Sequence, residues 1–439
     1  MSYFILMIII FVVGYCAIAL EHPIKINKSA TALLLAVIMW AVYALMGPRF
    51  EASELLTHLG ETSEIVFFLL GAMTIVEIVD RHEGFRIITD KIQTTNKRKL
   101  LWVIGILTFF MSSVLDNMTT AIVICALLRK LIADKHDRWF FCGIVILAAN
   151  AGGAWSPIGD VTTIMLWIKG NVTAGGIMME TFIPSMVSII VPLIAITFML
   201  KGDVKRPEEK KHDQSGEGIT STQSRIILCL GVGALLFVPI FKTITHLPPY
   251  MGILFGLGVL WVVTEIMHKA SKENHSKYNV SAILTRVDTS SVLFFLGILM
   301  AVACLQTAGH LELLSKSLDK LGNIYIIDII IGLASSVVDN VPLVAAAMGM
   351  YPIADAAAVA ADPTMQHFVV NGAFWEFLAY CAGTGGSILI IGSAAGVAVM
   401  GMEKIDFIWY LKKISLWALL GYFAGAGTFV LISKFILHT

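Results

Sequence analysis

The chain has 439 residues, 57% hydrophobic and only 14% charged, with a mean hydropathy of +0.82. A water-soluble domain carries about a quarter charged residues, so water is excluded as the only solvent. The balance of 31 basic against 31 acidic residues excludes the basic surface of a nucleic-acid binder.

A bilayer core needs roughly 20 apolar residues per spanning helix. Stretches of that kind fall near 3–20, 29–46, 64–80, 182–200, 224–243, 251–267, 290–307 and 406–436. The first, MSYFILMIIIFVVGYCAIAL, has no basic leading region and no small-residue cleavage site, and reads as a spanning helix, not a signal peptide. Cys16, Cys125, Cys142, Cys229, Cys304 and Cys381 lie in apolar stretches without CxxC spacing and read as packing residues.

Four loops are basic. They carry Arg81, Arg86, Lys91, Lys97, Arg98 and Lys99; then Arg129, Lys130, Lys135 and Arg138; then Lys201, Lys205, Arg206, Lys210 and Lys211; then Lys269, Lys272, Lys277 and Arg286. The positive-inside rule puts all four on the cytoplasmic face. The apolar stretch 100–132 is then flanked by two inside loops, which a single spanning helix cannot satisfy. A re-entrant hairpin with its tip at Asp116-Asn117 can, provided protein or a watery cavity surrounds the tip. The loop 351–365 has Asp355 and Asp362 and no Lys or Arg, and fits the outer face. A second hairpin over 322–350 then enters from outside. Glycine-rich runs break 139–168 and 366–402.

An internal repeat connects these features. Residues 112–117 read Ser-Ser-Val-Leu-Asp-Asn and 335–340 read Ser-Ser-Val-Val-Asp-Asn. GGAWSPIG at 152–159 matches GGSILIIG at 385–392, and Phe67-Phe68-Leu69-Leu70-Gly71 matches Leu293-Phe294-Phe295-Leu296-Gly297. The predicted architecture is an all-α polytopic membrane protein with two inverted repeats, 1–200 and 224–439, joined by a cytoplasmic linker at 201–223. Inverted repeats with broken helices at matching positions point to a secondary transporter with its site near the midplane.

Asp116 and Asp339 are costly in hydrocarbon and become functional candidates for that reason. Asn117 and Asn340 beside them offer oxygen, which hard cations prefer. Ser112 and Ser335, four residues before the aspartates, face the same way on a helix; they serve either the site or helix–helix hydrogen bonding. Gly152, Gly153, Pro157 and Gly159 prevent a continuous helix and free carbonyl groups, although paired glycines also serve close helix packing. Asn150, Asp160, Thr162 and Thr163 share that segment, and Gly385 and Ser387 supply its counterpart. Asp160 has no acidic partner in the repeat, where Ser393 stands, which suggests a specialised role such as carrying the proton. Glu77 reads as a proton relay or as a helix-end residue pairing with Arg81. Asp328 and Glu376 also lie in apolar stretches, and His82, His310 and His367 fall at helix ends. Three buried carboxylates attract cations and repel anions, and an acid that holds either a proton or a metal ion suffices for antiport under alternating access.

The paired Ser-Ser-Val-x-Asp-Asn hairpins, the GGAWSPIGDVTT segment and the inverted halves resemble NhaD-type sodium/proton antiporters of the ion transporter superfamily, over nearly the whole chain. The resemblance implies exchange of Na⁺ or Li⁺ for H⁺ with a role in pH homeostasis, cation binding at both hairpin tips and the unwound segments, no cofactor and a homodimer. A bacterial inner membrane is the expected setting, with both termini outside. The alternative within the superfamily is an anion carrier of the dicarboxylate or arsenite type. Where that branch typically carries Ser-Asn-Thr at the tips, Asp116 and Asp339 favour a cation. A passive channel is separated by whether flux is coupled to protons. An intramembrane protease is disfavoured by the absence of HExxH and by the repeat, so no enzymatic activity is expected.

Overall fold

Side-chain caps and glycine breaks divide the apolar sequence into helices. The computed structural model describes residues 3–47, 50–89, 92, 94–207, 219–269 and 278–435. Linker residues 208–218, with Lys91, Lys272 and Lys277 of the basic loops, lie outside the described residues.

The first half consists of α1 (Tyr3–Ala19), α2 (Glu21–Ile24), α3 (Lys28–Met46), α4 (Ala52–Arg81), α5 (Arg86–Thr89), α6 (Lys97–Ser112), α7 (Asn117–Leu131), α8 (Lys135–Gly153), α9 (Val161–Ile168) and α10 (Ala174–Met199). The second consists of α11 (Ser221–Thr245), α12 (Pro249–His268), α13 (Val280–Leu284), α14 (Thr289–Thr307), α15 (His310–Leu318), α16 (Ile324–Ala334), α17 (Asn340–Met350), α18 (Ala356–Ala361), α19 (Ala373–Gly385), α20 (Ala394–Glu403), α21 (Phe407–Lys413) and α22 (Ser415–Phe435). Among the described residues seven helices are long and apolar enough to cross a membrane. Leu45, Met179 and Phe198 are more than three-quarters exposed, a liability in water and an ordinary lipid-facing surface in a bilayer.

Caps set the boundaries. Asn96 accepts hydrogen bonds from the Arg98 and Lys99 backbone N–H groups and opens α6, and Asn323 caps α16 through Tyr325. The stretch 406–436, expected as one span, is divided at Ile414, whose side chain fills the space beside Gly143. Substituting bulk at Gly143 would displace it.

Two groups of helices pack together. In one, α3 lies against α1 and α14, and α4 joins α14 to α11 and α12. In the other, α6, α7 and α8 form a cluster, α10 pairs with α22, and α19 packs on α16, α10, α22 and α8. The groups meet where α14 touches α17 and α4 touches α9.

The α6–α7 pair doubles back. Lys97 N–H donates to the Gly202 carbonyl (3.1 Å) and Ala133 N–H to that of Lys205 (2.8 Å), so both free ends are tied to one short segment. At this basic end Lys97 pairs with Asp137 (2.7 Å), and Glu403 holds both Arg129 and Arg138. The α16–α17 pair doubles back likewise, with Tyr351 Oη donating to Asp319 Oδ1 (2.9 Å) across its free ends.

Candidate ion-binding site

Each half places a helix break against a helix-pair turn. At Gly152 an added Cβ would lie 2.1 Å from the Phe109 carbonyl oxygen, and at Gly385 it would lie 2.0 Å from that of Gly332. Only glycine permits these approaches. Matching hydroxyl latches hold the contacts: Ser112 Oγ donates to the Ala149 carbonyl (2.6 Å) and Ser335 Oγ to that of Ala382 (2.7 Å). Both serines are therefore committed to helix–helix contact. The Gly153 carbonyl accepts from Ser156 N–H (3.4 Å).

Asp160 caps α9 and is 1% exposed. Its Oδ1 accepts from the Thr162 N–H and Oγ1, both at 3.0 Å. Asn117 Nδ2 donates to Oδ2 at 2.5 Å, and Asn340 Nδ2 approaches the two oxygens at 3.4 and 3.3 Å. Those asparagines open α7 and α17, so two helix N-termini face one buried carboxylate. Asn150 completes the cluster. Its Oδ1 accepts from Asn117 (3.1 Å), and its Nδ2 donates to Ser387 Oγ and Ser393 Oγ, both at 2.9 Å. Thr163 turns away, donating to the Asp160 carbonyl (2.8 Å) in a capping box.

The other two aspartates of the sequence reading do not enter this cluster. Asp116 adopts φ 70°, a costly conformation for a non-glycine residue, and its carboxylate accepts from Thr119 N–H (2.9 Å) and Oγ1 (2.6 Å). Asp339 accepts from Val341 N–H (3.2 Å) and faces Lys28 Nζ (3.8 Å) across the boundary between the two helix groups. The expected gathering of three carboxylates is thus corrected to one carboxylate among amides, because each tip aspartate caps its own helix. Among the described residues no group of three or more His, Cys, Asp and Glu side chains could hold a metal ion.

Glu77 stands apart, half-buried a turn before the end of α4 among Asp80, Arg81 and Arg286. Sequence reasoning passed over two residues. Ser393 was signalled only by standing opposite Asp160 in the repeat. Lys28 lies 311 residues from Asp339, and no local pattern connects them.

A polytopic helical fold with a buried, uncharged-lined carboxylate at two broken helices defines a membrane transporter. Residues 5–370 match the family model described as citrate transporter. "Sodium/proton antiporter 1" of Arabidopsis thaliana is 47% identical over 97% of this chain and 72% of its own length, and "Sodium/proton antiporter 2" is 44% identical over 98% and 100%. The "Na(+)/H(+) antiporter NhaD" of Vibrio cholerae is 30% identical over 94% of the chain and 89% of its length. The chain belongs to the citrate-transporter family, in its NhaD-type branch.

The bacterial inner membrane expected from sequence does not stand. Identity is 47% and 44% to the plant relatives against 30% to the Vibrio one, so the resemblance to bacterial antiporters does not carry a bacterial setting, and the membrane alone stands. Apolar spans and basic loops obey the same bilayer physics in either setting, so they carried no information on the source.

Proposed function

We propose that the protein exchanges Na⁺ or Li⁺ for H⁺, with Asp160 holding cation and proton in turn. The observation that carries this reading is the Asp160 carboxylate, buried among Asn117, Asn150 and Asn340 with no Lys, Arg or His of the described residues in hydrogen-bond contact. A lone buried carboxylate needs a cation or a proton to neutralise it. With Nδ2 groups directed at Asp160, the cage suits the carboxylate alone. Rotating the Asn117 and Asn340 amides would present Oδ1 atoms, and Ser387 and Ser393 add hydroxyl oxygens, a donor set suited to a hard monovalent cation.

The two halves act as inverted repeats, with α6–α7 and α16–α17 as re-entrant hairpins whose tips flank the site, and access alternates between the faces. The matched serine latches and glycine contacts support this reading. The names of the plant and bacterial relatives support sodium/proton exchange.

The test is proton flux in proteoliposomes bearing a pH-sensitive dye. Addition of NaCl or LiCl should drive proton movement in the wild type and none in Asp160→Asn. The citrate-transporter family description favours a second reading, anion uptake. Its failing is the lack of a cationic side chain at Asp160. Labelled citrate uptake without Na⁺-driven proton flux would establish that reading and overturn the first.

A further inference from the structure

At the face opposite the basic end, α10, α19 and α22 surround a cavity of about 340 Å³ lined by Glu180, Glu376, His367 and Asn371 among others. Glu376 is 3% exposed, and its Oε1 has no hydrogen-bond partner among the described residues. Among the described residues it forms no ion pair. Glu180 lies close enough for the two charges to act on each other. Nothing in the Asp160 cage uses this pair. Glu376 nevertheless lies on the helix that leads to Ser387, about 14 Å from the end of α19 at 1.5 Å rise per residue.

An unpartnered acid nine-tenths buried, facing a cavity and a second acid, is poised to take up a proton. Two neighbouring carboxyl groups cannot both ionise cheaply, so they share one. We infer that Glu376, backed by Glu180, is a second proton-binding site, loaded from this cavity. A hydronium ion there gives its proton to a Glu376 carboxylate oxygen, leaving water and a neutral carboxyl group; release is the reverse. A metal ion is the less suitable occupant, since among the described residues no third acidic, histidine or cysteine side chain, His367 of the lining included, joins the pair in a group that could hold one.

The titratable or charged groups that the elements packed on α19 bring to this end are Glu180 of α10, His367 of the neighbouring 3-10 helix, Tyr325 and Asp328 of α16, and Tyr422 and Lys434 of α22. Tyr325 Oη is engaged with Ser433 Oγ (2.7 Å), Lys434 lies over the Tyr325 ring, and Tyr422 Oη donates to the Ile329 carbonyl. Helices α9 and α17 carry no acid, base or histidine, and the charges of α8 are at the basic end.

The inference rests on the exchange reading for its effect on transport, and its test has an independent arm. Infrared pH titration of the reconstituted protein should show a protonated-carboxyl band that disappears in Glu376→Gln, persists in Glu376→Asp and titrates at a different pH in Glu180→Gln. In flux assays Glu376→Gln should move the pH of half-maximal exchange by about one unit, tenfold in proton concentration. The KM for Na⁺ should stay within about twofold, since the cation cage is untouched. An unchanged band and pH profile in Glu376→Gln would overturn the inference and leave exchange at Asp160 standing. So would an Na⁺ KM that changes as much as the pH profile, because Glu376 would then lie on the cation path. If Glu376→Gln fails to fold, an unaltered titration in Glu180→Gln overturns it. Absence of exchange in the wild type would instead sink the exchange reading, and the infrared band would still decide the status of Glu376.

Discussion

Asp160 and Ser393 occupy equivalent backbone positions in the two halves. Each caps the helix that resumes after a break, at φ −144°, ψ 147° and φ −141°, ψ 153° respectively. Asn150 is linked to both, donating to Ser393 Oγ and reaching Asp160 through Asn117. One cap bears a charge and its counterpart does not, so the two substitutions should differ. Asp160→Ser keeps a cap but removes the only carboxylate in the cage, and cation-driven proton flux should vanish. Ser393→Ala loses a cap and one of the two acceptors of Asn150 Nδ2, a destabilisation of about 1 kcal/mol, and should keep cation-driven proton flux. Flux against Na⁺ concentration separates the two.

The close approaches at Gly152 and Gly385 make a prediction about folding. A methyl group at either position meets a backbone carbonyl at 2.1 or 2.0 Å, and backbone cannot step aside as a side-chain tip can. Gly152→Ala and Gly385→Ala should each destabilise the detergent-solubilised protein by about 1–3 kcal/mol, the usual cost of overpacking. Gly175→Ala, where a Cβ meets nothing within 4 Å, should be neutral. Thermal unfolding of the three variants checks this.

Stability should also depend on pH through His82, which is fully buried just past the end of α4. Its Nδ1–H donates to the Ile78 carbonyl (2.7 Å), leaving Nε2 to accept from His268 Nε2 (3.0 Å). Burial, with the nearby His268 and Arg81, holds its pKa down to about 4 against the Ile78 hydrogen bond. In the unfolded chain the same ring takes up a proton near pH 6.5. The unfolded state therefore binds more protons between these values, so stability rises with pH across the window and is lost as pH falls from about 6.5 to 4. His82→Gln should flatten that part of the melting-temperature profile.

Asp328 is sealed within α16, fully buried, with neither carboxylate oxygen hydrogen-bonded to any of the described residues. A buried polar group without a partner costs about 1–3 kcal/mol, and an apolar residue of similar shape relieves it. Asp328→Leu should raise the thermal stability without abolishing cation-driven proton flux. Loss of flux in a well-folded Asp328→Leu protein would show that this acid serves transport.

The sequence by itself determined the all-helical membrane class, the paired Asp-Asn turns and the two glycine breaks. These are local properties. Hydropathy over about 20 residues, a capping side chain and a glycine pair each act within a few turns of chain. It also identified Asn117, Asn150, Asp160, Asn340 and Ser387 as candidates, and the tertiary structure brings these together. What only the tertiary structure decided is which way each aspartate faces. Asp116 and Asp339 are matched in sequence with Asp160 nearby in space, yet one folds back on Thr119 and the other meets Lys28. That outcome depends on a positive φ at one tip and on an ion pair spanning 311 residues. Neither leaves a periodic trace in the chain, because a carboxylate's partner is set by how the helices pack.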